Sequence, residues 1–418
     1  MKSHLDATAL DSWVRRNRRR LHKGGVWLLG GEPNMQSPEE FPEATLKVLI
    51  ARLSSYHDVA ASITHSFLWQ LARTVPETFV DVAFFPPAPD EDLLREAGFP
   101  LWFGLTSRRP AQDFNILAIS NSVVQELLNL PAALAGSGIP LDRQTREKTH
   151  APLVILGGSN AYVNSILHGP IRGTREESGL VDLVLIGDGE EIWPQFLRAF
   201  QENRHLPRRE LLKLLAGAMH GCYVPVAYSQ NYDLKGALTG FTVSSGFPIK
   251  VKSARAPLAK MTPVFSNGPL FFDEETAGRS HLLISASCPY FCSFCKESWE
   301  QKPYRERPLA DLLEAAQSLK AHLGLRELSL MTFNINTVSS LEPLLNSLEP
   351  LFERVSLKSQ RFDAIARFPG LLDRQVEAGK RTFTCAMEGV SDRLRRFLQK
   401  GLPEPTLLEG FRQLFQRD

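Results

Sequence analysis

The chain has 418 residues, 43% of them hydrophobic and 22% charged, with a formal net charge of +2. That length passes the roughly 250–300 residues at which a single hydrophobic core stops growing, so two or three domains are expected. A near-neutral charge gives no argument for a nucleic-acid partner, and no run of about 18 apolar residues is present to span a bilayer.

The N-terminus, MKSHLDATALDSWVRRNRRRLHKGG, lacks the apolar stretch of a secretory signal, and five cysteines in so long a chain do not make a disulfide scaffold. The protein reads as cytoplasmic. Residues 1–24 are a polar arm in which Arg15, Arg16, Arg18, Arg19 and Arg20 crowd together. A solvated helix or loose segment is expected there, and a contact with phosphate or RNA is the alternative.

From 25 to 204 short apolar runs alternate with amphipathic ones. Strands are expected at VWLLG (26–30), VDVAFF (80–85), ILAIS (116–120), LVILG (153–157) and VDLVLIG (181–187). Helices are expected at FPEATLKVLIARL, HSFLWQLARTV, VVQELLNLPAALAGSG and EIWPQFLRAFQE. This is the pattern of a doubly wound α/β domain on a parallel sheet. Ligands of such sheets sit at the carboxyl ends of the strands, where Gly157-Gly158 and Gly187-Asp188-Gly189 fall. Turning the chain is the plainer role for each glycine, and His57 and His65 read as surface or core histidines. Residues 205–280 read as a connector of short strands and turns.

A second β/α series occupies 281–418. Its strands are HLLISAS (281–287), ELSLMTF (327–333), RVSLKS (354–359) and RTFTCAM (381–387), with helices at 308–322, 339–352, 362–378 and 391–400. Four units of a partial (β/α) barrel are expected, after which the series stops.

The residues that constrain chemistry most tightly follow the first of these strands: Cys288-Pro-Tyr-Phe-Cys292-Ser-Phe-Cys295. Three thiolates on one loop suit three corners of an iron–sulfur cube and leave its fourth iron open to something other than protein. Three other readings stay open at this level. Tetrahedral zinc would need a fourth ligand from afar, with Cys385, His281 or His322 as candidates. Inert buried cysteines and a plain four-cysteine electron-transfer cluster are the others. Cys222 and Cys385 read as small core residues.

The C-x3-C-x2-C spacing, with Phe294 just before the last cysteine, resembles the radical S-adenosylmethionine (SAM) superfamily. The resemblance implies a [4Fe–4S] cluster on Cys288, Cys292 and Cys295, and SAM chelated to the open iron. It also implies an enzyme that cleaves SAM to a 5′-deoxyadenosyl radical, supplied by a reductant such as flavodoxin or ferredoxin. Where relatives carry Gly-Gly-Glu against the SAM amine, this chain has Thr332-Phe-Asn334-Ile-Asn336, so Asn334 or Asn336 would substitute.

Ser359-Gln-Arg361-Phe-Asp363 and Glu388-Gly-Val-Ser391-Asp392-Arg393-Leu-Arg395, with Lys400-Gly401, resemble segments of the branch that carries an N-terminal cobalamin-binding-like domain. There Ser359, Arg361, Glu388 and Arg395 would serve SAM. Pairing between Arg361 and Glu388, helix capping, or an N-cap at Ser391 are the structural alternatives.

Residues 25–204 resemble that N-terminal domain, with Gly157, Gly158, Gly187 and Gly189 as cofactor-facing turns. Cobalamin is then a candidate third cofactor. The D-x-H-x-x-G lower-ligand motif is absent, since Asp58 and His65 stand at another spacing. Methyl transfer, or modification of RNA or peptide, are the reactions implied, and the Arg15–Arg20 run leans toward RNA. Barrels of the superfamily usually carry about six β/α units, so the second domain reads as incomplete. The rival function is a non-catalytic cluster-binding or scaffold protein.

Overall fold

The computed structural model describes residues 7–161, 179–257, 268–271, 278–357, 359–377 and 380–417. It falls into two compact units, one comprising residues up to Ala256 with the stretch 268–271, the other from 278 onward.

The first unit is built on a six-stranded sheet: β1 (Leu46–Arg52), β2 (Thr78–Ala83), β3 (Ile116–Ser120), β4 (Leu153–Gly157), β5 (Leu183–Leu185) and β6 (Cys222–Tyr223). Their order is β2-β1-β3-β4-β5-β6, with every pair parallel except the last. This is a doubly wound order whose direction of travel reverses between β1 and β3, which leaves a cleft at their carboxyl ends. Strands β2 and β3 are buried throughout, as sheets covered on both faces require.

Three expectations fail here. FPEATLKVLIARL is not a helix: its second half is β1, near the centre of the sheet. A strand buried on both faces is continuously apolar and shows no alternation, so pattern alone does not separate it from a buried helix. VWLLG is not a strand but the end of a 3-10 turn over His22–Leu28. Gly24, Gly25, Gly30 and Gly31 all take positive φ around it, and the Trp27 indole is anchored on Asp90 at 2.8 Å. The connector is also more than strands and turns, because Arg208–Ala218 is a helix. Arg208 and the buried Arg146 both pair with the fully buried Asp182, at 3.4 and 3.1 Å, which ties that helix to the sheet.

The rest of the connector includes the hairpin β7 (Tyr228–Tyr232) and β8 (Leu238–Val243). In the described part of the basic arm, Ala7–Asn17 is a helix that buries Leu10 and Val14.

In the second unit, β9 (Arg279–Leu283) is followed by the two-residue β10 (Ser285–Ala286), which pairs antiparallel with β11 (Arg305–Glu306). Strands β12 (Glu327–Met331) and β13 (Arg354–Leu357) complete a parallel sheet in the order β13-β12-β9. Leu282, Leu328 and Leu330 pack with Leu312, Ala316, Leu319, Leu344 and Leu348 from the Leu309–Leu323 and Leu341–Leu348 helices. Among the described residues the expected fourth strand, 381–387, makes a single parallel bridge, between Gln360 and Cys385, beyond the last described residue of β13. Part of the expected third helix, at 378, and Lys358 in the expected third strand lie outside the described residues.

Candidate cluster site

The cysteine loop leaves the carboxyl end of β10 through Ser287, which takes a positive φ of 66° and is fully buried. Its hydroxyl donates to the Ser298 carbonyl at 2.9 Å, fixing this sharp exit. The loop's carbonyls are then satisfied by residues a few positions downstream. Trp299 Nε1 donates to Cys292 O at 2.9 Å, Ser298 Oγ to Tyr290 O at 3.1 Å, and Lys302 Nζ to Tyr290 O at 2.9 Å and also to Cys288 O. A turn closes between Cys295 N and Cys292 O at 3.1 Å, and Ser293 N reaches Leu398 O at 3.0 Å. None of the three thiols is in a disulfide; Cys292 is buried, Cys288 and Cys295 half-buried. Burial pushes the Cys288 thiol up, opposed by the Tyr290 backbone and the nearby Arg361 and Lys302 charges.

The three aromatic residues interleaved with the cysteines each carry a cation. Arg361 stands 3.7 Å from the Tyr290 ring centre, Lys302 4.1 Å from Phe291 and Lys400 6.0 Å from Phe294. Arg361 is held by Asp363 at 2.8 Å and by the Lys400 carbonyl at 3.0 Å, and Lys400 pairs with Glu388 at 3.4 Å. Such contacts are worth about 0.5–2 kcal/mol each, more where desolvated, so the loop is pinned from three separate elements.

Two asparagines singled out together separate here. Asn336 is occupied, donating to Gln360 Oε1 at 3.3 Å and accepting from Arg361 N at 3.2 Å. Asn334 is buried and neither Nδ2 nor Oδ1 has a partner. Its backbone N–H bonds Thr332 Oγ1 at 3.3 Å, and Thr332 in turn bonds Ser285 at 2.6 Å, three residues before Cys288. Ser359 is exposed and its carbonyl accepts from Ile335 N at 3.1 Å.

Glu388 takes a positive φ of 64° before Gly389, where a Cβ would lie 2.8 Å from Leu394 Cβ. Arg395 is 1% exposed and its guanidinium is spent on Leu402 O at 2.7 Å, Gly389 O at 2.9 Å and Asp392. Ser391 caps the following helix by accepting from Leu394 N at 3.3 Å. Cys385 packs beside Phe362, Leu402 and Leu407, and burial pushes its thiol up to about 11. His322 hydrogen-bonds within its own helix, to Ser318 O at 2.9 Å.

Among the described residues no three His, Cys, Asp or Glu side chains gather around a single ion. Three uncrosslinked thiols on one clamped loop are the donor chemistry that an iron–sulfur cluster held by three cysteines takes.

The family model described as "Radical SAM proteins, N-terminal" matches residues 64–225, in the first unit. That match covers well under half of the chain, on the cobalamin-binding-like side of it. Among solved structures it is similar to the radical SAM methyltransferase TsrM from Kitasatospora setae. The structure of TsrM with cobalamin and a [4Fe–4S] cluster bound matches at 15% identity with a TM-score of 0.51, over 89% of this chain and 64% of that one. The structure with tryptophan substrate and a SAM analogue matches at 14% identity with a TM-score of 0.48, over 89% and 65%. This chain thus spans just under two thirds of the length of that protein, and at such identity the likeness concerns the fold.

Against β3, β4 and β5 the first unit has a cavity of about 160 Å³, lined by Thr64, Leu68, Ser120, Gly157, Gly158 and Trp193 among others. The four glycines divide. A Cβ at Gly158 would lie 2.0 Å from Asn121 O, and one at Gly187 2.2 Å from Ala254 O, so those two permit backbone to pass backbone. All four line the cavity, and Gly157 and Gly189 have room for a Cβ.

His65 does not line the cavity. It is fully buried against Phe84 and Phe271, with ring centres 5.5 and 4.4 Å away and no partner on either ring nitrogen. Burial and the Arg52 charge hold it well below the usual imidazole range. His57 lies edge-on to His22 and Tyr56. Among the described residues no helix is long and apolar enough to cross a membrane.

Sequence reasoning missed Lys302, Lys400, Tyr290 and Trp299. The one local signal was the placing of an aromatic residue in each interval of the cysteine motif.

Proposed function

We propose that the chain is a radical SAM enzyme, with a [4Fe–4S] cluster on Cys288, Cys292 and Cys295 and SAM on the open iron. The observation that carries this reading is a clamped loop of three uncrosslinked thiols, together with a buried Asn334 amide that has no partner and whose backbone is tied through Thr332 to Ser285, three residues before Cys288. A cluster held by these three cysteines would supply one-electron reduction, the chemistry that reductive cleavage of SAM requires.

The chain's own residues bind and orient. Lys302, Ser298 and Trp299 hold the loop carbonyls so that the thiols keep their spacing. Asn334 offers its side-chain carbonyl to the SAM amine, and the exposed Ser359 and Glu388 offer a hydroxyl and a carboxylate to its ribose or methionine portion. Asn336, Arg361 and Arg395 shape the backbone around the site, since their polar groups are already engaged. A reductant such as flavodoxin or ferredoxin supplies the electron from outside.

Methyl transfer is the reaction class that the fold likeness supports, because the similar protein is a methyltransferase with cobalamin bound. A corrinoid would lie at the cavity against β3, β4 and β5 that Gly157 and Gly189 line. The described cavity of about 160 Å³ is below the roughly 300–1,000 Å³ of pockets that bury drug-sized ligands, so no step is assigned to a corrinoid here.

The test is anaerobic reconstitution with iron and sulfide, followed by dithionite and SAM. Formation of 5′-deoxyadenosine supports the enzyme. A bound cluster that leaves SAM intact over long incubation supports a non-catalytic cluster protein.

A further inference from the structure

A cavity of about 500 Å³ in the first unit lies between the Gly189–Asn203 helix, the C-terminal turn of the Arg208–Ala218 helix and the segment 248–255. Residues 252–256 form a strap bonded to the sheet edge. Gly221 N donates to Lys252 O at 2.6 Å, Ala254 N to Ile186 O at 3.0 Å, Asp188 N to Ala254 O at 3.1 Å, and Ala256 N to Asp188 Oδ2 at 2.8 Å. Two glycines make this approach feasible. A Cβ at Gly187 would meet Ala254 O at 2.2 Å, and one at Gly221 would meet Ile186 O at 2.3 Å. Gly187, which sequence reasoning linked to a cofactor, is thus where the strap docks.

The wall this builds is cationic. Lys250, Lys252, Arg255 and His220 line the cavity, and Glu191 is the one carboxylate among its lining residues. Glu191 already accepts from Gln195 at 2.6 Å. Arg255 is steadied by Ser253 Oγ at 2.5 Å and Ala254 O at 2.9 Å, whereas the ammonium groups of Lys250 and Lys252 have no partner among the described residues. Residues 204–257 hold eight Lys and Arg against two Asp and Glu, in a chain of net charge only +2, so positive charge is concentrated on this element. Lys250 precedes the strap and Lys252 begins it, and both line the same cavity with Arg255. Lys serves phosphate as a point charge, so such a group of cations suits a phosphate better than a single carboxylate.

We propose that this cavity binds a small phosphorylated molecule, with its phosphates between Lys250, Lys252 and Arg255. The volume suits a ligand of nucleotide size. The site lies wholly within the first unit and does not rest on the cluster reading.

The test is isothermal titration of the full chain at low salt with inorganic pyrophosphate, alongside citrate and a short single-stranded RNA. Pyrophosphate is expected to bind more tightly than citrate or RNA, to weaken as salt rises, and to lose at least tenfold in affinity in the Lys250→Gln/Lys252→Gln double variant. Both lysines are exposed, so the variant's thermal unfolding should match that of the unaltered protein. If it does not, Lys250→Arg/Lys252→Arg carries the test and must keep binding. Absence of pyrophosphate binding at millimolar concentration, or binding untouched by the double Gln variant, overturns the proposal. Tighter binding of citrate overturns the phosphate assignment, and tighter binding of RNA overturns the small-molecule one.

Discussion

Asn334 is where stability and function are expected to oppose each other most clearly. Its amide is 4% exposed, and both its donor nitrogen and its acceptor oxygen lack partners. A buried polar group left unsatisfied costs about 1–3 kcal/mol, and an apolar replacement of similar volume recovers that cost. Asn334→Leu should therefore stabilise the ligand-free protein by about 1–3 kcal/mol. At about 2–4 °C per kcal/mol for a domain approaching 150–250 residues, the second unit should melt roughly 2–12 °C higher. The same change removes the carbonyl assigned to the SAM amine, so SAM affinity of the reconstituted protein, read by equilibrium dialysis, should fall at least tenfold. A melting point lowered by several degrees together with unchanged SAM affinity would refute the reasoning on both counts, because Asn334 would then be a satisfied structural residue.

Other expectations follow from the same geometry. Arg395→Met strips the buried guanidinium from Leu402 O, Gly389 O and Asp392, and should cost about 3–5 kcal/mol in denaturant unfolding; a loss below about 1 kcal/mol would mean the network does not hold this turn. His65 is depressed in the folded state, so the unfolded chain binds the extra proton first. Stability should hold above pH 6.5, the ordinary value, and decline below it by up to about 1.4 kcal/mol per pH unit. His65→Phe should remove that acid-limb slope, and parallel pH–stability curves for variant and parent would count against it. Lys302→Met removes a positive charge and two hydrogen bonds from the cysteine loop. It should make cluster reduction at least tenfold less favourable, 59 mV for one electron, with Lys302→Arg retaining the parent potential in an electron paramagnetic resonance titration.

The cysteine motif, the strands β3 and β4 and the helices Gly189–Asn203 and Leu309–Leu323 are legible in the sequence because each is set by local spacing or periodicity. Strand β1 is not, since burial on both faces erases alternation and leaves Leu46–Arg52 looking helical. The turn at His22–Leu28 is hidden for a different reason. Its apolar residues VWLL mimic a strand, while its shape comes from flanking glycines and a bond from Trp27 to Asp90, far along the chain.

At the candidate site, the thiols are local and so were found. The cations above Tyr290 and Phe294 come from residues 361 and 400, pairings that only the fold brings about. The same limit applies to the asparagines. Nothing in Asn334-Ile-Asn336 says which amide is already bonded, and the answer depends on Gln360 and the Arg361 backbone.

The central claim is that Cys288, Cys292 and Cys295 hold a cluster whose fourth iron accepts SAM. Electron paramagnetic resonance of the reconstituted, dithionite-reduced protein, recorded with and without SAM, tests it most directly. The account predicts a reduced [4Fe–4S] signal that changes on adding SAM, and no such signal in Cys292→Ala. A signal indifferent to saturating SAM, or a cluster that survives loss of Cys292, would contradict it.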